Sequence, residues 1–203
     1  MKRMCKILCT LLCVCTLMGC KNTEETKPIE KQSKTSEKAN KHSSKTLIVY
    51  FSQTGTTRKI ASNIASIMEA DIFELIPSTP YSQEDVNYND SASRAVREQS
   101  DDSARPSIMN RIDNMDDYTS ILLAYPIWFG EAPKIIYTFL ESYDLSDKII
   151  VPICTSGSSG ITSSENNLHT VTSPSTTWID GTRFEKDIET STLKQWVENL
   201  HLE

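Results

Sequence analysis

Three stretches of the chain are unbroken apolar runs, the pattern of strands covered on both faces: Leu47–Phe51, Ile121–Tyr125 and Ile149–Ile153. A fourth, Ile72–Ile76, carries Glu74 inside it and reads as an edge strand. A fifth strand is expected near Thr176–Ile179. Pro152 is awkward within its run, because a central strand loses a ladder donor there. Helical spacing follows each strand. Ile60, Ile64, Ile67 and Met68 share one face, as do Ile135, Ile136, Phe139 and Leu140 behind Pro133, which suits a first helical turn. Ser82–Gln99 reads as a polar, exposed helix or helix-rich loop and Ser163–Leu168 as a polar helix. Leu193, Trp196, Val197 and Leu200 make a last stripe.

Strands alternating with helices predict a parallel sheet covered on both faces, with ligands bound beyond the carboxyl ends of the strands. The glycines agree. Of the five after Cys20, four (Gly55, Gly130, Gly157 and Gly160) fall just past the three apolar strands, and only Gly181 lies elsewhere. Three loops therefore gather on one edge of the sheet.

The first loop, Ser52-Gln53-Thr54-Gly55-Thr56-Thr57, runs straight into a helix. It offers four hydroxyls, backbone amides and a helix N-terminus, which suit a phosphate monoester; a polar turn capped by Ser and Thr is the plainer alternative. No Lys follows the glycine, which excludes a nucleoside-triphosphatase loop, and no G-x-G-x-x-G favours a dinucleotide. The run Leu47–Thr57 resembles the start of flavodoxins, whose S/T-x-T-G-x-T loop holds the phosphate of FMN. Two further loops, Tyr125-Pro126-Ile127-Trp128-Phe129-Gly130 and Thr155-Ser156-Gly157-Ser158-Ser159-Gly160, resemble the branch with Y-P-I-W-x-G and T-S-G-x-S-G. The resemblance spans Thr46–Glu203 and implies a three-layer α/β/α fold, with a five-stranded parallel sheet in the order 2-1-3-4-5. It implies FMN held by Ser52–Thr57, by Pro126, Ile127, Trp128, Phe129 and Gly130, and by Thr155, Ser156, Gly157, Ser158 and Gly160. On that reading Trp128 stacks on the flavin ring; the alternative is a core aromatic between sheet and helix, and Phe129 divides evenly between core and site. The third loop lacks the second aromatic of short electron-carrier flavodoxins, so one ring face is left open to a substrate. It does not match a nucleophile elbow, since Ile161 stands two residues after Ser159.

The amino end adds a location. Lys2, Arg3 and Lys6 precede an apolar stretch from Ile7 to Met18. Twelve helical residues span about 18 Å, short of the roughly 30 Å hydrocarbon core, so residues 1–19 read as a signal peptide. Leu17-Met18-Gly19-Cys20 resembles the lipobox of bacterial lipoproteins, which implies a lipidated Cys20 and an extracytoplasmic protein anchored to the cell membrane. An ordinary secretory signal with incidental cysteines is the alternative. Lys21–Lys45, with seven lysines, four glutamates and no aromatic residue, reads as a disordered tether, so that 20–45 links the anchor to a domain over 46–203.

Charge and cysteines exclude other chemistry. From Thr46 onward 11 Lys and Arg stand against 23 Asp and Glu, a net −12, which argues against nucleic acid as a partner. Cys154 is the single cysteine of the domain, so no disulfide forms within it, and an inert buried thiol is its expected role. His42, His169 and His201 lack ligand spacing, so no metal is expected. No carboxylate pair is spaced for acid–base work. Because flavin carries its own redox chemistry, no catalytic side chain is demanded. Two function classes follow: a flavin-dependent oxidoreductase acting on a small acceptor such as a quinone, and an electron-transfer protein docking on a redox partner. A fold that has lost its cofactor and serves as a binding module is a third.

Overall fold

A computed structural model describes residues 45–202. The signal segment, the lipidation of Cys20 and the Lys-rich tether up to residue 44 lie outside the described residues. Eleven regular elements follow in order: β1 (Thr46–Tyr50), α1 (Thr56–Met68), β2 (Asp71–Glu74), α2 (Arg94–Gln99), β3 (Ser120–Pro126), α3 (Lys134–Glu141), β4 (Ile149–Thr155), α4 (Thr162–His169), β5 (Thr177–Trp178), β6 (Thr182–Phe184) and α5 (Thr190–Glu198). The sheet is parallel throughout, in the order β2-β1-β3-β4-β5.

Alternation along the strands sorts the core into two layers. Leu47, Val49, Phe51, Ile121, Leu123, Tyr125 and Ile150 pack with Ile135, Ile136, Phe139 and Leu140 of α3 and Leu168 of α4. Ile48, Tyr50, Leu122, Ala124, Val151 and Ile153 face the other way, onto Ile60, Ala61, Ile64 and Ala65 of α1 and Leu193 of α5. Burial on both faces is why the central strands are continuous apolar runs.

The fifth position of the sheet departs from a single strand. It is split into β5, paired with Ile149–Ile150, and β6, paired with Ile153–Thr155. Pro152 explains the gap. In a parallel strand alternate residues bond to opposite neighbours. Ile149 N–H donates to Thr119 on the β3 side, whereas the Ile150 carbonyl accepts from Ile179 on the β5 side. Pro152 falls in the Ile150 register, so its missing donor faces the outer strand at the point where that strand breaks. Gly181 fills the break: a β carbon there would meet Ile161 Cδ1 at 2.7 Å and Pro152 Cγ at 2.9 Å. Its N–H instead donates to the Glu165 carboxylate at 3.2 Å.

One helical expectation is corrected and another is resolved. Pro133 is the residue before the helix, with φ −56° and ψ 142°, and α3 begins at Lys134. Of the two forms expected for Ser82–Gln99 the helix-rich loop is the one found: Glu84–Val86 forms a 3₁₀ turn and only Arg94–Gln99 is α-helical, with Ser93 Oγ capping it through the Val96 N–H. The stretch is largely exposed, but Ala95, with Tyr81 just before it, is buried against the α3 side of the sheet.

Candidate functional site

The three loops do converge. A cavity of about 480 Å³ opens beyond the carboxyl ends of β1, β3 and β4, within the size range of small-molecule sites. Ser52, Gln53, Thr54, Thr56 and Thr57 line it from the first loop, Pro126, Ile127 and Trp128 from the second, and Thr155, Ser156 and Gly157 from the third. Gly55, Phe129, Gly130, Ser158 and Gly160 are not among its lining residues. A larger hollow of about 600 Å³ lies at the opposite end of the strands, between Ala70–Phe73 and Arg111–Asn114.

At the first loop, Gly55 sits before α1 with φ +89°, a conformation that favours glycine. Its N–H donates to Ser52 Oγ at 3.1 Å. Thr57 is buried, and its hydroxyl is 2.8 Å from the Thr155 hydroxyl, which ties the first loop to the third. Gln53 Nε2 donates to the Tyr81 carbonyl at 2.6 Å. Two of the four expected hydroxyls are thus used within the protein. Among the described residues those of Thr54 and Thr56 have no protein partner, and both residues line the cavity. No side chain caps the start of α1, and its first turn holds no acidic residue, so nothing within that turn offsets the positive end of the helix dipole. Free hydroxyls beside such a helix end form a donor set that fits a phosphate.

The second loop is a tight turn. Trp128 N–H donates to the Glu131 carbonyl at 2.9 Å, and Glu131 N–H donates back to the Trp128 carbonyl at 3.0 Å. The two central residues both have positive φ, Phe129 at 52° and Gly130 at 86°, the pattern of a type I′ turn. Glycine suits that conformation; phenylalanine does not. Trp128 is only 5% exposed, with its ring edge-to-face against Phe51 at 5.4 Å and Tyr81 at 5.0 Å. It is a wall of the core that also borders the cavity, so the two roles considered for it are not exclusive. Phe129 is 40% exposed and stands outside the core.

Residues that sequence reasoning missed complete the site. Val86 and Tyr88 line the cavity from the β2–β3 connection, and Glu185, Lys186 and Asp187 line it from the turn after β6. That connection also fastens the second loop: Gln99 Nε2 donates to the carbonyls of Trp128 at 2.9 Å and Ala132 at 3.1 Å. Tyr81 O–H donates to Glu98 at 2.6 Å, Arg94 pairs with the same carboxylate, and the Arg94 guanidinium lies 3.9 Å from the Tyr81 ring centre. Burial, with Glu98 beside it, raises the Tyr81 pKa far above the ordinary phenol value. Tyr88 was legible only as an aromatic residue in a polar stretch. The charged triplet carried no signal without β6.

Cys154 is fully buried and borders the site from β4, where burial pushes its thiol up to about 12. His169 is placed elsewhere, against Trp178 and near Glu165. Among the described residues no group of His, Cys, Asp and Glu is disposed to hold a metal ion, and no helix is long and apolar enough to cross a membrane.

The flavodoxin family profile matches residues 45–200. A solved structure from Bacteroides uniformis, provisionally classed as a flavoprotein, is 36% identical; the match covers 77% of this chain and 99% of that one, with a TM-score of 0.73. A second, from Bacteroides eggerthii and classed in the same way, is 33% identical over 77% of this chain and 97% of its own, with a TM-score of 0.72. A flavoprotein from Lactobacillus acidophilus, solved in complex with FMN, is 24% identical over 76% and 99% and has a TM-score of 0.57, a likeness of fold. No curated protein matches the chain.

Proposed function

Because the chain belongs to the flavodoxin family, we propose that it is an FMN-binding redox protein, tethered through a lipidated Cys20 to the outer face of a bacterial cell membrane. The observation that carries the cofactor assignment is the mixed lining of the cavity. It combines the free hydroxyls of Thr54 and Thr56, beside the uncapped start of α1, with aromatic and apolar residues, Trp128, Ile127, Val86 and Tyr88. The first set fits a phosphate and the second a flat ring. Bound FMN supplies the electron transfer. The chain itself donates hydrogen bonds to the phosphate from Thr54, Thr56 and the first amides of α1, and keeps water from the ring with its apolar wall.

We further propose that the protein is an oxidoreductase reducing a small acceptor such as a quinone. Ser156 and Gly157, small residues at the third loop, line their side of the cavity without an aromatic cover and support access for a second molecule. A carrier docking on a redox protein is the second reading, supported by the net charge of −12 from Thr46 onward. Anaerobic assay of the FMN-loaded protein with menadione and NADH or a quinol donor separates them. The enzyme turns over repeatedly; FMN retained with no turnover assigns the carrier. Membrane attachment is read separately: Cys20→Ala should move the protein out of the membrane fraction, and an unchanged distribution removes the lipid anchor.

A further inference from the structure

The cavity has two aromatic residues from the β2–β3 connection and the second loop that could meet a flat ligand, and the structure treats them oppositely. Trp128 already spends its ring on Phe51 and Tyr81 and leaves 5% of its surface free. Tyr88 is 56% exposed while lining the same cavity. Its ring rests at 4.5 Å from that of Phe129, and its hydroxyl reaches the Ile127 carbonyl at 3.4 Å. Phe129 is exposed as well, and it occupies a turn position with φ 52° that a bulky side chain adopts only at a cost of about 1–3 kcal/mol. Four large apolar side chains are exposed among the described residues, and two of them are this pair, of which Tyr88 lines the cavity. A solvent-facing aromatic pair, one member held in a strained backbone, is poorly explained by packing, because neither ring is buried by the arrangement. It is what a surface awaiting a planar partner requires.

We propose that Tyr88, backed by Phe129, is the ring-binding surface of the cavity, and that Trp128 is a fixed wall that shapes it. This rests on the FMN reading and deepens it, since the ring in question is the flavin ring: phosphate-binding hydroxyls and the aromatic lip line or border one continuous cavity. Tyr88 and Phe129 meet each other and the second loop, so the third-loop side of the cavity keeps its small residues.

The test compares FMN with riboflavin, which has the ring and no phosphate, by fluorescence titration of the purified protein. Tyr88→Ala is expected to weaken both ligands by about tenfold, the order of one aromatic stacking contact, and Tyr88→Phe to restore both. Thr54→Val with Thr56→Val is expected to weaken FMN and leave riboflavin unchanged. Since Tyr88 is exposed, Tyr88→Ala should melt at the temperature of the unaltered protein without ligand. Phe129→Asn, which relieves the turn, should raise that temperature while weakening riboflavin. Unchanged riboflavin and FMN affinity in Tyr88→Ala overturns the inference while the FMN reading stands. Failure of the unaltered protein to bind either ligand overturns both.

Discussion

The second and third loops flank the same cavity, yet the chain secures them by different means. The turn at Trp128–Glu131 is closed by two backbone bonds, gripped from outside by Gln99, and floored by the Phe51–Tyr81–Trp128 aromatic trio. The turn after Thr155 is anchored at its base by Thr155–Thr57, and beyond it, among the described residues, Ser158 N–H donates to Ser156 Oγ at 3.2 Å. One side of the cavity is thus pre-formed by long-range contacts, and the other is a short run of small residues. Pre-formed walls lower the entropy lost on binding, whereas a lightly held loop can adjust to what enters.

The sharpest way to break this comparison is Trp128→Ala. Removing a buried indole from the trio should destabilise the protein by about 3–5 kcal/mol, read from denaturant unfolding without ligand; a loss below about 1 kcal/mol would show that the wall is not built as described. Gln99→Ala comes next. Two carbonyls lose their donor, a cost of roughly 1–3 kcal/mol, and amide exchange over residues 126–132 should accelerate. Unchanged exchange there would mean that the turn holds itself. On the other side, Ser158→Ala should stay within about 0.5 kcal/mol, and a larger loss would erase the contrast between the loops. The mildest expectation concerns Cys154 at the base of the third loop. With its thiol pushed up to about 12 by burial, little thiolate forms at pH 8, and alkylation should be slow until the protein unfolds. Rapid labelling of the folded protein would show that the lightly held loop opens down to β4.

The contrast also marks what could be read in the sequence. Strands buried on both faces betray themselves as continuous apolar runs, so β1, β3 and β4, with Gly55 and the first loop, were legible from local pattern alone. Pro152 was legible as an anomaly but not as its solution, because the break lies in a partner strand some thirty residues later, at Gly181. The clamp from the β2–β3 connection was not legible. Tyr81, Glu98 and Gln99 sit in a stretch whose local pattern is polar, and their role depends on contacts at separations of 17 to 33 residues. The phosphate loop offered four hydroxyls in sequence. All four line the cavity, and only tertiary structure shows that Ser52 and Thr57 also bond within the protein while, among the described residues, the Thr54 and Thr56 hydroxyls have no protein partner.

Titration of the purified protein with FMN, followed by the visible absorbance and fluorescence of the flavin, tests the central claim most directly. The account predicts perturbed flavin bands and fluorescence that saturate at one FMN per chain, with affinity lost in Thr54→Val with Thr56→Val by more than tenfold, since hydrogen bonds to a charged group contribute about 1.5–3 kcal/mol each. FMN bands identical to those of free flavin at every protein concentration would contradict it.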